Sequence, residues 1–122
     1  DFSSHKVSQN EKLFISLLIE DSNGIENLAD IATVSGVSCI YFGTYDIANS
    51  YGIEDQSGTE MKKIVSSAID KVVDTKVSFG QVAVDSDQYF SLDNRINFVP
   101  CGVDCGIVLK GAKQTINEIK KK

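Results

Sequence analysis

Four times along this chain a short, nearly all-apolar run gives way to a stretch with helical spacing, and that alternation leaves few folds open. The first run is Leu13-Phe14-Ile15-Ser16-Leu17-Leu18-Ile19. Its near-continuous hydrophobicity suits a parallel strand covered on both faces. The next segment reads as a helix with Asn23 as N-cap and Glu26 three positions on. Ile25, Leu28 and Ala32 share one face of it, and Gly36 ends it where a left-handed residue is often needed. A second strand is expected over about Val37 to Phe42, followed by a long polar loop from Gly43 to Gly58. Ser57 and Glu60 match a capping box. The helix they open carries Met61, Ile64, Val65, Ala68, Ile69, Val72 and Val73 on one face. A third strand is expected at Val77 to Val84, and a shorter helix at Ser86 to Asn94 behind the acidic start of Asp85 and Asp87. The fourth strand spans Ile96 to Cys101, with Pro100 marking its end. Asp104 is placed to cap a last helix, Cys105 to Lys121, with Val108, Ala112, Thr115, Ile116 and Ile119 on its apolar side.

Four βα units with short connections imply a parallel sheet with right-handed crossovers. Two architectures satisfy that: an open doubly wound sheet, or half of a (β/α)8 barrel, which takes about 250 residues when whole. No glycine-rich phosphate loop follows the first strand, so a dinucleotide-binding fold has little support. The 122 residues contain no linker or low-complexity tract and read as a single domain over 1–122. Residues Asp1 to Lys12 form a polar lead-in, and the start at Asp1 suggests processing or a shortened chain.

Hydrophobic residues at 42% and charged residues at 24% support a globular core rather than disorder. A formal net charge of −5 argues against a nucleic-acid-binding surface. The basic cluster Lys120-Lys121-Lys122 is accounted for as a solvated helix end. No apolar run is long enough to span a bilayer, and nothing resembles a signal peptide. Three cysteines, Cys39, Cys101 and Cys105, make an odd count without a secreted framework, which favours a cytoplasmic location. Cys101 and Cys105 lack a second ligand pair for zinc, so all three read as small buried hydrophobes. His5 reads as a surface residue, and Arg95, ahead of the fourth strand, as structural.

Two carboxylates fall just past strand-like runs: Glu20 after Ile19, and Asp46 after Phe42 by way of Gly43-Thr44-Tyr45. In parallel α/β folds such positions line the functional edge of the sheet. Neighbouring carboxylates repel unless a cation or proton resolves the repulsion, so a divalent metal site is the leading candidate. The competing reading is a solvated strand end and an ordinary turn residue.

The stretch Ile19-Glu20-Asp21-Ser22-Asn23-Gly24-Ile25-Glu26-Asn27-Leu28-Ala29-Asp30-Ile31 resembles a motif of the HpcH/HpaI aldolase and citrate lyase beta-subunit family. Gly43 to Gly52, GTYDIANSYG, resembles that family's "G(P/T)xDLSxSLG" loop, and Val99 to Asp104 resembles its "VAVGxD" segment. The resemblance implies the C-terminal half of a (β/α)8 barrel, corresponding to strands five to eight. It implies a divalent ion (Mg²⁺, Mn²⁺ or Co²⁺) on Glu20 and Asp46, and substrate binding by Gly43, Thr44, Tyr45 and Asp46. Thr44-Tyr45 stands where Pro-Ala is commoner, which bears on the substrate. The implied activity is metal-dependent class II aldol cleavage of 2-keto-3-deoxy or 4-hydroxy-2-keto acids to pyruvate and an aldehyde through a metal-stabilised enolate. The alternatives are an acyl-CoA lyase of the citrate lyase beta-subunit type, or a half-barrel that assembles without catalysis. No catalytic residue is assigned in this half, because the family's arginine and histidine lie in the other. The implied partners are a small keto acid, with no nucleic acid and no membrane, and either a homo-oligomer, a hexamer by resemblance, or the missing half-barrel.

Overall fold

A computed structural model describes residues 9–10 and 12–121; His5 lies outside them. The apolar runs form β1 (Ile15–Ile19), β2 (Val37–Phe42), β3 (Ser78–Gly80) and β4 (Ile96–Phe98). All pair in parallel, in the order β1-β2-β3-β4. Between and after them come α1 (Ser22–Glu26), α2 (Leu28–Ala32), α3 (Thr44–Tyr51), α4 (Thr59–Asp70), α5 (Ser86–Ser91) and α6 (Asp104–Lys120).

The register sorts side chains by face. Leu17 lies opposite Ile40, Ile19 opposite Phe42, and Ile40 opposite Phe79. These share one face, because side chains alternate along a strand. Ile19, Ile40, Phe42 and Phe79 are buried there with Ile25, Leu28, Ile47, Met61, Val65 and Ile69 from the helices. Burying a side chain such as Phe42 or Leu28, each wholly inaccessible, stabilises the fold by about 1.5–3 kcal/mol.

The other face carries Leu18, Tyr41, Gly80 and Phe98 at successive register positions. Phe14, just ahead of β1, packs against Phe98 of the last strand with ring centroids 5.3 Å apart, and Tyr41 meets the same ring at 6.2 Å. Aromatic rings at the two outer edges of the sheet therefore touch across a concave surface. Gly80 makes this possible: a Cβ there would lie 2.7 Å from Tyr41 Cδ2 and 2.9 Å from Phe98 Cδ1. Sequential strand order, helices packed on one face and strong curvature select the half-barrel over the doubly wound sheet, whose strand order reverses at a switch point. The concave side is unfinished: Leu18 is 50% and Phe98 38% exposed.

Several local expectations are corrected. Asp21, not Asn23, caps α1, its carboxylate accepting from Gly24 N at 2.7 Å. The helical segment before Gly36 breaks at Asn27 into α1 and α2, although Gly36 does take a left-handed φ of 94° beyond it. The polar loop from Gly43 to Gly58 contains a two-turn helix, α3. Ser57 does not cap α4, because its hydroxyl donates to Asp55 Oδ1 and Gly58 takes the N-cap position. Asp104 is the first residue of α6 rather than its cap. The third and fourth strands are three residues each, shorter than their apolar runs. Val73 falls past the end of α4 and is exposed. Along α6 no residue is buried, Val108, Ala112, Thr115, Ile116 and Ile119 included. Cys39 is buried, which pushes its thiol pKa up, whereas Cys101 and Cys105 are exposed.

Arg95 is structural, as expected. Its guanidinium donates to Asp93 Oδ1 and Oδ2 at 2.8 and 2.7 Å and to Ser66 Oγ at 2.9 Å, and it pairs with Asp70. This clamp joins the end of α4 to the start of β4. It also holds the Asp93 carboxyl well below the usual carboxylate range.

Candidate active site

The β1–β2 ladder continues one step beyond the strands, where Gly43 N donates to Ile19 O at 2.9 Å. That bond sets Gly43 beside Glu20. A Cβ on residue 43 would lie 3.2 Å from Glu20 Cγ and 3.3 Å from both Ile19 O and Leu18 Cδ1. The glycine then turns the chain into α3, its carbonyl accepting from Asp46 N at 3.1 Å and Ile47 N at 3.0 Å. Asp46 thus sits in the first turn of a helix whose N-cap adjoins Glu20. Burial of Ile47 and Ala48 seats α3 on the core, and Gly52, with φ of 70°, closes it. Ser50 Oγ accepts from Ser22 N at 3.0 Å and donates to Ser22 Oγ at 3.1 Å, tying α3 to the start of α1.

The expected site residues, Glu20 and Gly43 to Asp46, are therefore gathered at the ends of two adjacent strands. Asp21 is occupied as a cap. Glu20 and Asp46 are both exposed, and among the described residues neither takes part in an ion pair. The amides of Thr44 and Tyr45 have no backbone acceptor among those residues, as the first N–H groups of any helix do not.

Two unpaired carboxylates are hard oxygen donors of the kind a strongly hydrated divalent cation accepts. No third histidine, cysteine, aspartate or glutamate among the described residues joins them in a cluster. A cation there would leave coordination positions to water and to a chelating substrate. The donor set fits Mg²⁺ or Mn²⁺ and not a closed zinc site. Helix α3, whose first turn carries the Thr44 and Tyr45 amides, lies within the segment that sequence pattern marks only as a polar loop. The one local signal for it is Gly52, a helix-ending glycine after the apolar pair Ile47-Ala48.

Known proteins resemble this chain in sequence and fold. A 2-keto-3-deoxy-L-rhamnonate aldolase of Shigella dysenteriae is 30% identical over 103 residues, covering 83% of this chain and 39% of its own length. A 5-keto-4-deoxy-D-glucarate aldolase of Shigella boydii is 26% identical over 117 residues, covering 94% of this chain and 46% of its own. The chain thus spans less than half the length of these relatives. The crystal structure of an HpcH/HpaI aldolase from Desulfitobacterium hafniense superposes on all of this chain and 48% of its own, with a TM-score of 0.86 at 17% identity. Residues 3–110 match the profile of the HpcH/HpaI aldolase/citrate lyase family, to which this chain belongs.

Proposed function

We propose that Glu20 and Asp46 hold a divalent cation and that the turn Gly43 to Asp46 receives the carboxylate of a 2-keto acid. The reaction served is carbon–carbon cleavage of a 2-keto-3-deoxy or 4-hydroxy-2-keto acid to pyruvate and an aldehyde. The observation that carries this reading is the packing of Glu20 against Gly43 at the N-cap of the helix that bears Asp46. When bound, the cation supplies Lewis acidity to the keto acid as charge develops on its keto oxygen. The free amides of Thr44 and Tyr45, at the positive end of α3, suit the substrate carboxylate. The absent side chain at Gly43 leaves Glu20 its room.

Cleavage also needs an acceptor for the 4-hydroxyl proton. The described residues include no histidine, and Arg95 is committed to Asp70 and Asp93. The base and the family's arginine would come from the other half of a complete barrel. The exposed concave face and the outer edges of β1 and β4 suit pairing with such a half.

Calorimetric titration with Mg²⁺ and Mn²⁺, with and without pyruvate, tests the assignment against Asp46→Asn. Binding that strengthens with pyruvate and is lost in the variant supports it. Equal affinity in wild type and variant would sink it.

A further inference from the structure

The β1 edge of the sheet carries none of the devices that keep an edge strand from pairing. Leu13 to Ile19 contains no charged residue and no proline, and Leu13, Phe14, Ile15 and Leu18 all stand exposed along it. We propose that a second copy of this chain covers this edge and the β4 edge together, closing an eight-stranded parallel barrel about a two-fold axis that coincides with the barrel axis. The inference goes beyond the reading above and does not depend on a bound cation.

Strand direction selects the partner. All four strands run parallel, β1 pairs only with β2, and β4 only with β3. Each outer strand therefore lacks a neighbour running the same way. A half-turn about the barrel axis keeps strand direction and sets β4 of each copy beside β1 of the other. Both joints form at once, and no edge remains. Antiparallel pairing of two β1 strands would instead leave β4 open and the concave aromatic face in water. The closed dimer completes the scaffold but not the catalytic set, since the described residues bring it no histidine.

Register fixes the joint. Leu18, Tyr41, Gly80 and Phe98 are successive neighbours across the sheet. A barrel of this kind returns to its first strand about eight residues out of step, so each half accounts for about four. The contact of Phe14 with Phe98 within one copy gives the stagger its direction, towards the start of β1. Phe98 of one copy therefore falls opposite Phe14 of the other. Val99 to Cys101 then run beside Ile15 to Leu17 of that copy, which accounts for an apolar run that continues past the three residues of β4. Ile19 O faces β2, so alternation leaves Ser16 N on the free edge, where Val99 O of the other copy can accept from it.

Light scattering of the metal-free chain is expected to give twice the chain mass. A mixture of isotope-labelled and unlabelled chains is expected to show NOEs between copies, from Phe98 and Val99 to Phe14 and Ser16. Leu18→Lys places a charge on the concave face, and Ser16→Pro removes the edge donor. Each is expected to raise the dimer dissociation constant about tenfold or more, with the far-UV circular dichroism of wild type. Val34→Lys, at an exposed bend between α2 and β2, is expected to leave that constant unchanged. If Ser16→Pro does not fold, Leu18→Lys and the NOEs decide. A folded monomer, NOEs between two β1 strands, contacts between copies confined to α6, or a dimer indifferent to Leu18→Lys would overturn the inference. So would a chain that stays monomeric until the complementary half of a relative's barrel is added.

Discussion

The two ends of the sheet treat acidic residues in opposite ways. Where β4 begins, Asp70 and Asp93 converge on Arg95, and every charge in the cluster has a partner. Where β1 and β2 finish, Glu20 and Asp46 are brought to neighbouring turns and meet no cation among the described residues. The first arrangement joins helix to strand and is complete as it stands. The second leaves two exposed carboxylates at adjacent strand ends without a cationic partner among the described residues. Identical side chains are thus tied into the scaffold at one end and left uncommitted at the other.

The contrast breaks most visibly by substitution. Asp46→Asn or Glu20→Gln is expected to lower Mn²⁺ affinity by about 100-fold or more, since even outer partners of a metal ligand are worth about 10–100-fold. Thermal stability should change by no more than about 0.5 kcal/mol, because both side chains are exposed surface groups. A large fall in Tm would make these acids structural after all. Gly43→Ala comes next. Its methyl group would press on Glu20 Cγ and on the Ile19 carbonyl, and the backbone side of that contact cannot yield. Metal affinity should drop about tenfold by calorimetry, with a smaller loss of stability than an added core methylene, about 1–3 kcal/mol, would cause. Arg95→Met reverses the pattern: Tm falls while metal affinity stays at the wild-type value.

The smallest effect is a pH dependence. Because Arg95 holds the Asp93 carboxyl below its ordinary range, the unfolded chain binds a proton first as pH falls, and stability falls with it. The contribution is complete above about pH 5 and drains as pH drops through and below the unfolded value of about 3.9. Asp93→Asn should therefore have a lower Tm than wild type at pH 7, with a gap that narrows below about pH 4. A gap that stays constant down to pH 3 would contradict the assignment.

The strands, their order of appearance and the two acids were legible because they rest on long apolar runs and on position relative to those runs. Local capping was less legible, because it depends on which of several adjacent polar side chains reaches a free amide. Asp21 displaces Asn23 in this way, and Ser57 is diverted to Asp55. The helix α3 was hidden because Thr44-Tyr45-Asp46 and Asn49-Ser50-Tyr51 are indifferent helix formers. It is held by burial of Ile47 and Ala48, a tertiary contact that no local pattern announces. The apolar side of α6 misled in the other direction: helical spacing shows that a face exists, not that this chain covers it. Cys101 and Cys105 are exposed rather than buried for the same reason, since they flank the start of that uncovered helix.

Paramagnetic broadening by Mn²⁺ tests the central claim most directly. With substoichiometric Mn²⁺, the amides of Glu20, Asp21 and Gly43 to Asp46 should broaden first, while those of Asp70, Asp93 and Arg95 at the other end stay sharp, and Asp46→Asn should abolish the effect. Broadening centred on Asp70 and Asp93, or spread evenly over the exposed acids, would contradict the assignment of the Glu20–Asp46 edge as the metal-binding end of the sheet.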